Sequence, residues 1–330
     1  MDSDPVVVVG IPTYNNEGDI DSTLALLERQ SRQPDRVVFC DKSTDRTPAI
    51  IRDWAETVSF EVEIIEQEGD GVADAYDTIL SHLNDEYDLF VTLQTEITVD
   101  DEWLRLHVDT HLKHPDIGMV TGDNKWHDPT DREVTSDERP YYVGRNFSAK
   151  QGVLESINGW DSNFLRGEDW DMRIRLAGAG VRCYARTELG YEWQQEPEPY
   201  VTLSKAKRKP TSLTFLSKFG QWYLRFHPSH VIADILSVGA VTTGALAILT
   251  LPFPVSSLLW GALTLLLVTV YWIAHVVLRG HVQGDWGAGI VRKQLLNGIA
   301  VFYAARRLAG DHPEWNRTGF DPEETPNFKF

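Results

Sequence analysis

The chain has only two cysteines, Cys40 and Cys183, in 330 residues. Each lies in or beside a β-like run, at 36–40 and 181–184, so both read as core residues rather than as a disulfide or a metal pair. Nothing in them demands an oxidising compartment. Positive charge is also scarce: 31 Lys and Arg stand against 49 Asp and Glu, a formal net charge of −18. A surface this acidic repels phosphates, so no nucleic-acid partner is expected. The acidity reads first as that of a halophile protein kept soluble in concentrated salt, with a locally acidic functional surface as the alternative. Residues 1–5 carry no basic group and the apolar run behind them covers only 6–9, so no signal peptide is expected. Internal repeats and low-complexity tracts are absent. Before residue 231 no apolar run approaches the length of a bilayer span.

What is present first is alternation. The β-branched run at 6–11 suits a strand buried on both faces, and Pro12 and the polar residues after it break the run. Amphipathic segments at 17–30, 47–58 and 72–83 alternate with further strand signals at 36–40, 62–65 and 89–93. Such a pattern builds a parallel sheet with helices on both faces. Ligands of these folds bind beyond the carboxyl ends of the strands, so the loops at 12–16, 41–45 and 94–100 are expected to meet in one crevice. The stretch 115–200 is more irregular, with strand signals at 118–122 and 181–185 and a helix at 169–179.

The C-terminal third changes character. Residues 205–209 are basic, and 212–226 carry Leu213, Phe215, Leu216, Phe219, Trp222, Tyr223 and Phe226, the pattern of an amphipathic interfacial helix. Two apolar runs follow, 231–251 with Asp234 near its start and 255–278 with His275 as its only potentially charged residue; a pair of soluble core helices is the alternative to membrane spans. The basic cluster before the first run and Arg279 after the second place both flanks on the cytoplasmic side. The expectation is a domain over 1–210, an interfacial segment over 211–230, two transmembrane helices over 231–279, and an interfacial helix with a loosely ordered polar tail over 280–330.

Three patches carry chemistry. The first is Ile11-Pro-Thr-Tyr-Asn-Asn-Glu17 with Asp41-Lys-Ser-Thr-Asp-Arg-Thr47: a Pro-broken strand end exposes backbone groups, and a carboxylate at the next strand end can accept from a base N–H or a ribose hydroxyl. Ser43, Asp45 and Thr47 serve equally well as caps of the helix that follows. The second is Leu93-Gln-Thr-Glu-Ile97, whose Glu96 can ligate a hard divalent cation with weak help from the amide oxygen of Gln94. Gly69-Asp-Gly71, with Asp74 behind it, lines the same crevice. The third runs Gly159-Trp-Asp161, then Leu165-Arg-Gly-Glu-Asp-Trp-Asp-Met-Arg173. Its Glu168 and Asp169 suit a general base, or simply complement a helix dipole, and Asp171 pairs with Arg175 one turn on. Trp160, Trp170 and Trp193 are candidates for stacking on sugar rings, with core packing as the alternative.

Together these patches resemble the family 2 glycosyltransferases of the GT-A fold over about residues 5–200. The resemblance implies an α/β fold of the Rossmann-like type with a mainly parallel sheet, and a nucleotide-sugar donor held by Pro12, Thr13, Asn15, Glu17, Asp41, Gly71, Asp74 and Gln94. It implies Mg2+ or Mn2+ at Glu96, although the family's usual D-x-D reads Gln94-Thr95-Glu96. It makes Asp169 the base and Glu168 its orienting partner. With the membrane hairpin, it points to an inverting transferase working from a UDP- or GDP-sugar onto a hydroxyl of a polyprenyl (dolichyl) phosphate-linked glycan, at the cytoplasmic membrane face. An archaeal lipid-linked oligosaccharide pathway of protein glycosylation is the resemblance this composition carries. A polyprenyl-phosphate sugar synthase, with a phosphate acceptor, and a non-catalytic membrane scaffold on the same fold are the alternatives.

Overall fold

The structure, a computed structural model, describes residues 4–84, 86–122, 132–134, 145–194, 208, 211–279, 288–311 and 313–325. The basic run at 205–209 lies outside these except for Arg208, which is exposed. The chain forms two compact units, the first made of Met1–Pro197 with Trp315–Phe330 and the second of Glu198–Glu314.

The first unit is built on a mixed sheet. Strands β1 (Val7–Thr13), β2 (Arg36–Asp41), β3 (Glu61–Glu66) and β4 (Leu89–Leu93) alternate with helices α1 (Ile20–Glu28), α2 (Thr47–Ala55) and α3 (Val72–Leu83). Then come β5 (Ile97–Thr98), α4 (Trp103–Lys113), β6 (Met119–Gly122), β7 (Arg132–Val134), β8 (Asn146–Lys150), α5 (Gln151–Ser156), α6 (Glu168–Gly178), β9 (Cys183–Arg186) and β10 (Glu192–Trp193). The sheet order is β3-β2-β1-β4-β8-β6-β9-β7, and β5 and β10 form a small separate ribbon. Strands β3, β2, β1 and β4 are parallel, β8 runs against both β4 and β6, and β9 is again parallel to β6. The alternating half of the sequence thus gives the parallel half of the sheet, as its pattern predicts. Strand β1 runs through Pro12 rather than stopping before it, because β4 pairs with β1 only as far as Gly10. The missing N–H of Pro12 therefore falls outside the doubly paired part of the strand.

Side chains alternate across β1, with Val7, Val9 and Ile11 packed on the side of α1 and α4 and Val8 on the side of α3 and α6. Each such fully buried aliphatic side chain stabilises the fold by ~1.5–3 kcal/mol. Trp160 is 4% exposed and stacks on Tyr76 at 4.8 Å, with Phe90 edge-on at 6.0 Å, so it belongs to the core and not to a sugar platform. Cys40 and Cys183 are buried free thiols in the same core. The tail expected to be loose is packed within this unit over residues 315–325: Trp315 meets Phe164 and Thr325 is 3% exposed. An apolar ring and buried backbone bonds override the polar composition on which the expectation rested.

The second unit is helical: α7 (Ser212–Phe219), α8 (Gln221–Phe226), α9 (Pro228–Leu249), α10 (Pro254–Arg279) and α11 (Ala288–Asp311). The aromatic face of α7 and α8 is turned inward, with Phe215, Phe219, Trp222 and Tyr223 all buried and ring-packed on one another. These helices therefore spend their aromatic face on protein, contrary to the interfacial reading. In α9 the lone acid Asp234 accepts from Ser212 N at 2.8 Å and Asn297 Nδ2 at 2.6 Å, which resolves the charge in an otherwise apolar run. Helices α9 and α10 pair along their length, with Thr264 and Thr243 hydroxyls 2.9 Å apart. Among the described residues one helix, the 22-residue α9 with mean hydropathy 1.9, is long and apolar enough to cross a membrane. The expectation of two crossings is not supported by that measure among the described residues.

A buried polar network ties α4 to β8. His107 Nδ1 lies 2.8 Å from Ser148 Oγ and its Nε2 3.1 Å from Asn146 Oδ1, while His111 Nε2 lies 2.9 Å from the same Ser148 Oγ. Burial pushes His107 down to about 4 and His111 down to about 3. Both imidazoles are neutral in the fold but must charge in the unfolded chain below ~6.5. Their stabilising contribution is thus complete above pH ~6.5 and is lost as pH falls toward 4. Urea unfolding between pH 7.5 and 4 is expected to show a loss of at least ~3 kcal/mol from this pair. A His111→Gln chain whose loss is as steep as that of the wild type would remove the imidazoles as the cause.

Candidate active site

Because β1, β2, β3 and β4 are parallel, their carboxyl ends share one edge of the sheet. The loops after Thr13, Asp41, Glu66 and Leu93 therefore lie together, and the start of antiparallel β8 joins them, since Asn146 pairs opposite Leu93.

The first two loops are laced to each other. Thr13 Oγ1 donates to Asp41 Oδ1 at 2.6 Å, and Ser43 satisfies both carboxylate oxygens, its hydroxyl reaching Oδ1 at 2.7 Å and its N–H Oδ2 at 3.1 Å. Asn15 N–H donates to Ser43 Oγ at 2.8 Å, and Asn15 Oδ1 accepts from Thr44 N at 2.8 Å. Asn15 reaches this position with φ of 54°, a left-handed conformation that Asn tolerates better than most residues. Glu17 accepts from Arg46 N at 3.1 Å. Asp45 accepts from Thr47 N at 3.0 Å in the first turn of α2, and Thr47 Oγ1 in turn takes Asn16 N–H at 2.8 Å. Asp45 and Thr47 thus start the helix and tie the loops at once. The outcome is a preorganised rim with Thr13 and Asp41 buried beneath it.

The third loop comes from the β3 end. Lys42 reaches across to it, donating to Gly69 O at 2.5 Å and to Asp70 Oδ1 at 2.9 Å. Gly71 begins α3 at φ of 91°, and a Cβ there would stand 3.3 Å from Leu165 Cα, so only glycine lets the 165–169 segment come this close. The carboxylate of Asp74 fills the space where a Gly69 side chain would be, and its Oδ1 is buried without a hydrogen-bond partner among the described residues.

At the β4 end, the Gln94 side chain and Thr92 lie at the hydroxyl of buried Tyr76, whose titration burial pushes upward. Glu96 points outward, 59% exposed, and pairs with Arg145 at 3.4 Å. The Arg145 guanidinium also lies over the Trp193 ring at 4.6 Å. Trp193 itself is exposed on β10, whereas Trp170 carries Arg173 over its ring at 5.1 Å.

Glu168 and Asp169 open α6 behind Gly167, which caps the helix at φ of 80°. Burial raises Glu168 well above the ordinary carboxylate range, the charge of Asp169 adds to the rise, and Arg145 and Arg166 oppose it. Asp169 is raised by burial, with Arg173 and Arg145 pulling the other way. Two neighbouring carboxyls both shifted upward by burial and both opposed by Arg145 are the kind of perturbed pair that clusters at functional sites. Asp171 and Arg175 pair as expected, at 2.8 Å and with no exposure, while Arg175 Nη1 also takes the carbonyls of Ile157 at 2.5 Å and Gly159 at 2.9 Å. Asp77, beside Gly159, is pushed up to about 6 by burial, against the N–H of Trp160 and the charge of Arg175.

The residues named from sequence thus fall on one edge: Thr13, Asn15, Glu17 and Asp41 in one rim, Gly71 and Asp74 on its β3 side, and Gln94 and Glu96 on its β4 side, with Glu168 and Asp169 opening the helix that follows Leu165. Pro12 contributes through the strand rather than the rim. Sequence reasoning missed Lys42, Tyr76 and Arg145. Lys42 stood inside a quoted motif and Arg145 directly before Asn146-Phe-Ser148, but only the fold shows where they reach.

Residues 8–160 match the family described as Glycosyl transferase family 2. Over these residues, a little under half of the chain, the sequence is similar to family 2 glycosyltransferase domains; the fold is GT-A, and the protein is a glycosyltransferase. No curated protein matches it in sequence. Its fold is similar to that of a mannosyltransferase, PcManGT from Pyrobaculum calidifontis, in complex with GDP-Man and Mn2+, at 20% identity, TM-score 0.57, 94% of this chain and 88% of that one. It is also similar to S. aureus TarS residues 1–349 in complex with UDP, at 15% identity, TM-score 0.52, 92% of this chain and 91% of that one.

Removing one partner of the Asp171–Arg175 pair strands a buried charge. Arg175→Met is expected to cost ~3–5 kcal/mol in urea unfolding. A loss below ~1 kcal/mol would show that the pair does not hold α6 in place.

Proposed function

We propose that this glycosyltransferase moves a sugar, with inversion, from a UDP- or GDP-sugar to a hydroxyl of a polyprenyl phosphate-linked glycan at the cytoplasmic face of a membrane. The observation that carries the reading is the pair Glu168–Asp169, raised by burial and opening a helix whose preceding residue Leu165 lies against the Gly71 loop at the strand ends. The laced rim of Thr13, Asn15, Glu17 and Asp41 supplies the nucleoside side, consistent with the nucleotides in the two similar structures. The apolar helix α9 supports the membrane, and a membrane supports an amphiphilic acceptor.

In this mechanism the acceptor oxygen attacks the anomeric carbon while Asp169 takes its proton, and the bond to the diphosphate breaks with its electron pair leaving on the nucleotide. A positioned base contributes ~10²–10⁴-fold. Glu168, next in line and more strongly raised by its neighbour's charge, orients the incoming hydroxyl. A divalent cation suits Glu96, because Mg2+ and Mn2+ take one or two protein carboxylates and fill the rest of their shell with phosphate oxygens and water. Among the described residues no cluster of three metal-binding side chains is present, so the fit is to a cation that the diphosphate largely carries, and it would offset charge on the leaving group. Arg145, already at Glu96, is placed to do part of the same work.

Labelled nucleotide-sugars offered with a polyprenyl-lipid extract test this directly. Asp169→Asn is expected to lose at least ~10²-fold in transfer while binding the donor as the wild type does. Equal transfer by both proteins would point to a phosphate acceptor and remove the base. Glu96→Ala is expected to weaken donor affinity and divalent-ion dependence together, and a wild type indifferent to chelators would refute the metal. The base works only when deprotonated, so kcat should fall with acid at a pH above the ~4 of an ordinary carboxyl. Arg145 holds both carboxyls down, so Arg145→Gln should move that limb to higher pH; a limb that stays in place would detach Arg145 from the pair.

A further inference from the structure

The sequence motif Gly159-Trp-Asp161 has no place in the chemistry above, yet the returning C-terminal segment is built onto it. Asn316 N–H donates to Asp161 Oδ2 at 3.1 Å, and its side-chain amide donates to the carbonyls of Ile157 at 3.1 Å and Asn158 at 2.7 Å. The other oxygen of Asp161 takes the N–H and the amide of Asn163 at 3.0 and 2.7 Å, so the 3% exposed carboxylate is filled from two sides. Arg175 of α6 binds the same turn through Ile157 O and Gly159 O. Trp315 packs on Phe164, itself 1% exposed, with ring centroids 5.5 Å apart.

The segment then follows α6 to its end. At Gly178 a Cβ would stand 2.2 Å from Gly319 O and 2.5 Å from Thr325 Oγ1, and at Gly319 it would stand 2.8 Å from Arg175 O. Gly319 has φ of 84°, so both glycines are required for the backbones to touch. Residues 315–325 therefore hold both ends of the path that leads to the acid pair. Asn316 and Trp315 fix the residues just before Glu168, and residues 319–325 fix the last turn of α6. Between them, Leu165 is wedged against Gly71.

We infer that residues 315–325 are a positioning strap for the base, with Asn316 as its principal residue. The strap touches no reacting atom; it sets where the start of α6 stands relative to the strand-end loops. The inference rests on the proposed role of Asp169. A catalytic group displaced by about an ångström can lose ~10²-fold in rate, so a turn held through three hydrogen bonds is a point of leverage.

The test uses the full-length chain with Asn316→Ala, and with Trp315→Phe as the conservative partner that keeps a ring on Phe164. Amide hydrogen exchange over residues 157–172 should speed up by about tenfold in Asn316→Ala while the β1–β4 core keeps its protection. Its kcat should fall by about 10–10²-fold, with UDP or GDP affinity within about twofold of the wild type. The acid limb of kcat should move to lower pH, because a loosened turn admits water to the acid pair. Trp315→Phe should remain close to the wild type in all of these. Unchanged kcat despite faster exchange at the turn would overturn the strap's positioning role. Loss of nucleotide affinity together with faster exchange throughout the sheet would do so as well, since that is a general loss of stability. A wild type inactive with every hydroxyl acceptor would overturn the base and the strap's role with it. That case differs visibly from failure of the strap alone, in which the wild type is active and Asn316→Ala keeps its rate.

Discussion

Everything at the strand-end edge depends on the parallel pairing of β1 with β2 on one side and β4 on the other. Crossovers through α1, α2 and α3 bring every strand back in the same direction, so each loop that follows a strand opens on the same side. Were β4 antiparallel, Gln94 and Glu96 would leave at the opposite end from Thr13 and Asp41. The antiparallel β8 then performs the complementary task. It enters the sheet where its neighbours leave, and so delivers Arg145 to the edge from a remote part of the chain.

The electrostatics of that edge follow from packing rather than from composition. The chain as a whole is acidic, yet the groups around Glu168 and Asp169 are Arg145, Arg166 and Arg173. Burial pushes both carboxyls toward the neutral form, and the guanidiniums pull them back toward the charged one. The same balance recurs at Asp77, where burial raises the carboxyl and Arg175 restrains it. Asp171, by contrast, pairs with Arg175 through Oδ2 at 2.8 Å within α6 itself.

How much of this was legible depended on range. The strand runs at 6–11, 36–40 and 89–93 read correctly because apolar β-branched residues buried on both faces leave a local signature. Asp171 and Arg175 read correctly because one helical turn fixes their distance. Arg145 did not, because its meaning is a contact with Glu96 across 49 positions that no local pattern encodes. The aromatic residues of α7 and α8 misled for a related reason: an amphipathic face looks the same whether lipid or protein covers it, and here Phe215, Trp222 and Tyr223 are covered by protein. The tail misled through its polar average, in which one Trp and one Asn carry the docking.

The altered acidic motif can be weighed on charge alone. A site with two carboxylates and a divalent cation presents no net charge to an arriving diphosphate. With Gln94 in place of the first acid, Glu96 plus the same cation leaves one positive charge, and Glu96 plus Arg145 leaves none. On the proposed reading the substitution therefore favours an anionic donor locally, at the cost of a weaker grip on the metal. The distant charges of a chain at −18 oppose that donor, but at ionic strengths of 0.1 M and above they are screened beyond ~10 Å. Groups in direct contact keep their effect in salt and remote ones do not, so on the proposed reading the cations at the edge, Lys42 and Arg145 among them, would weigh more on a bound diphosphate than the net charge does.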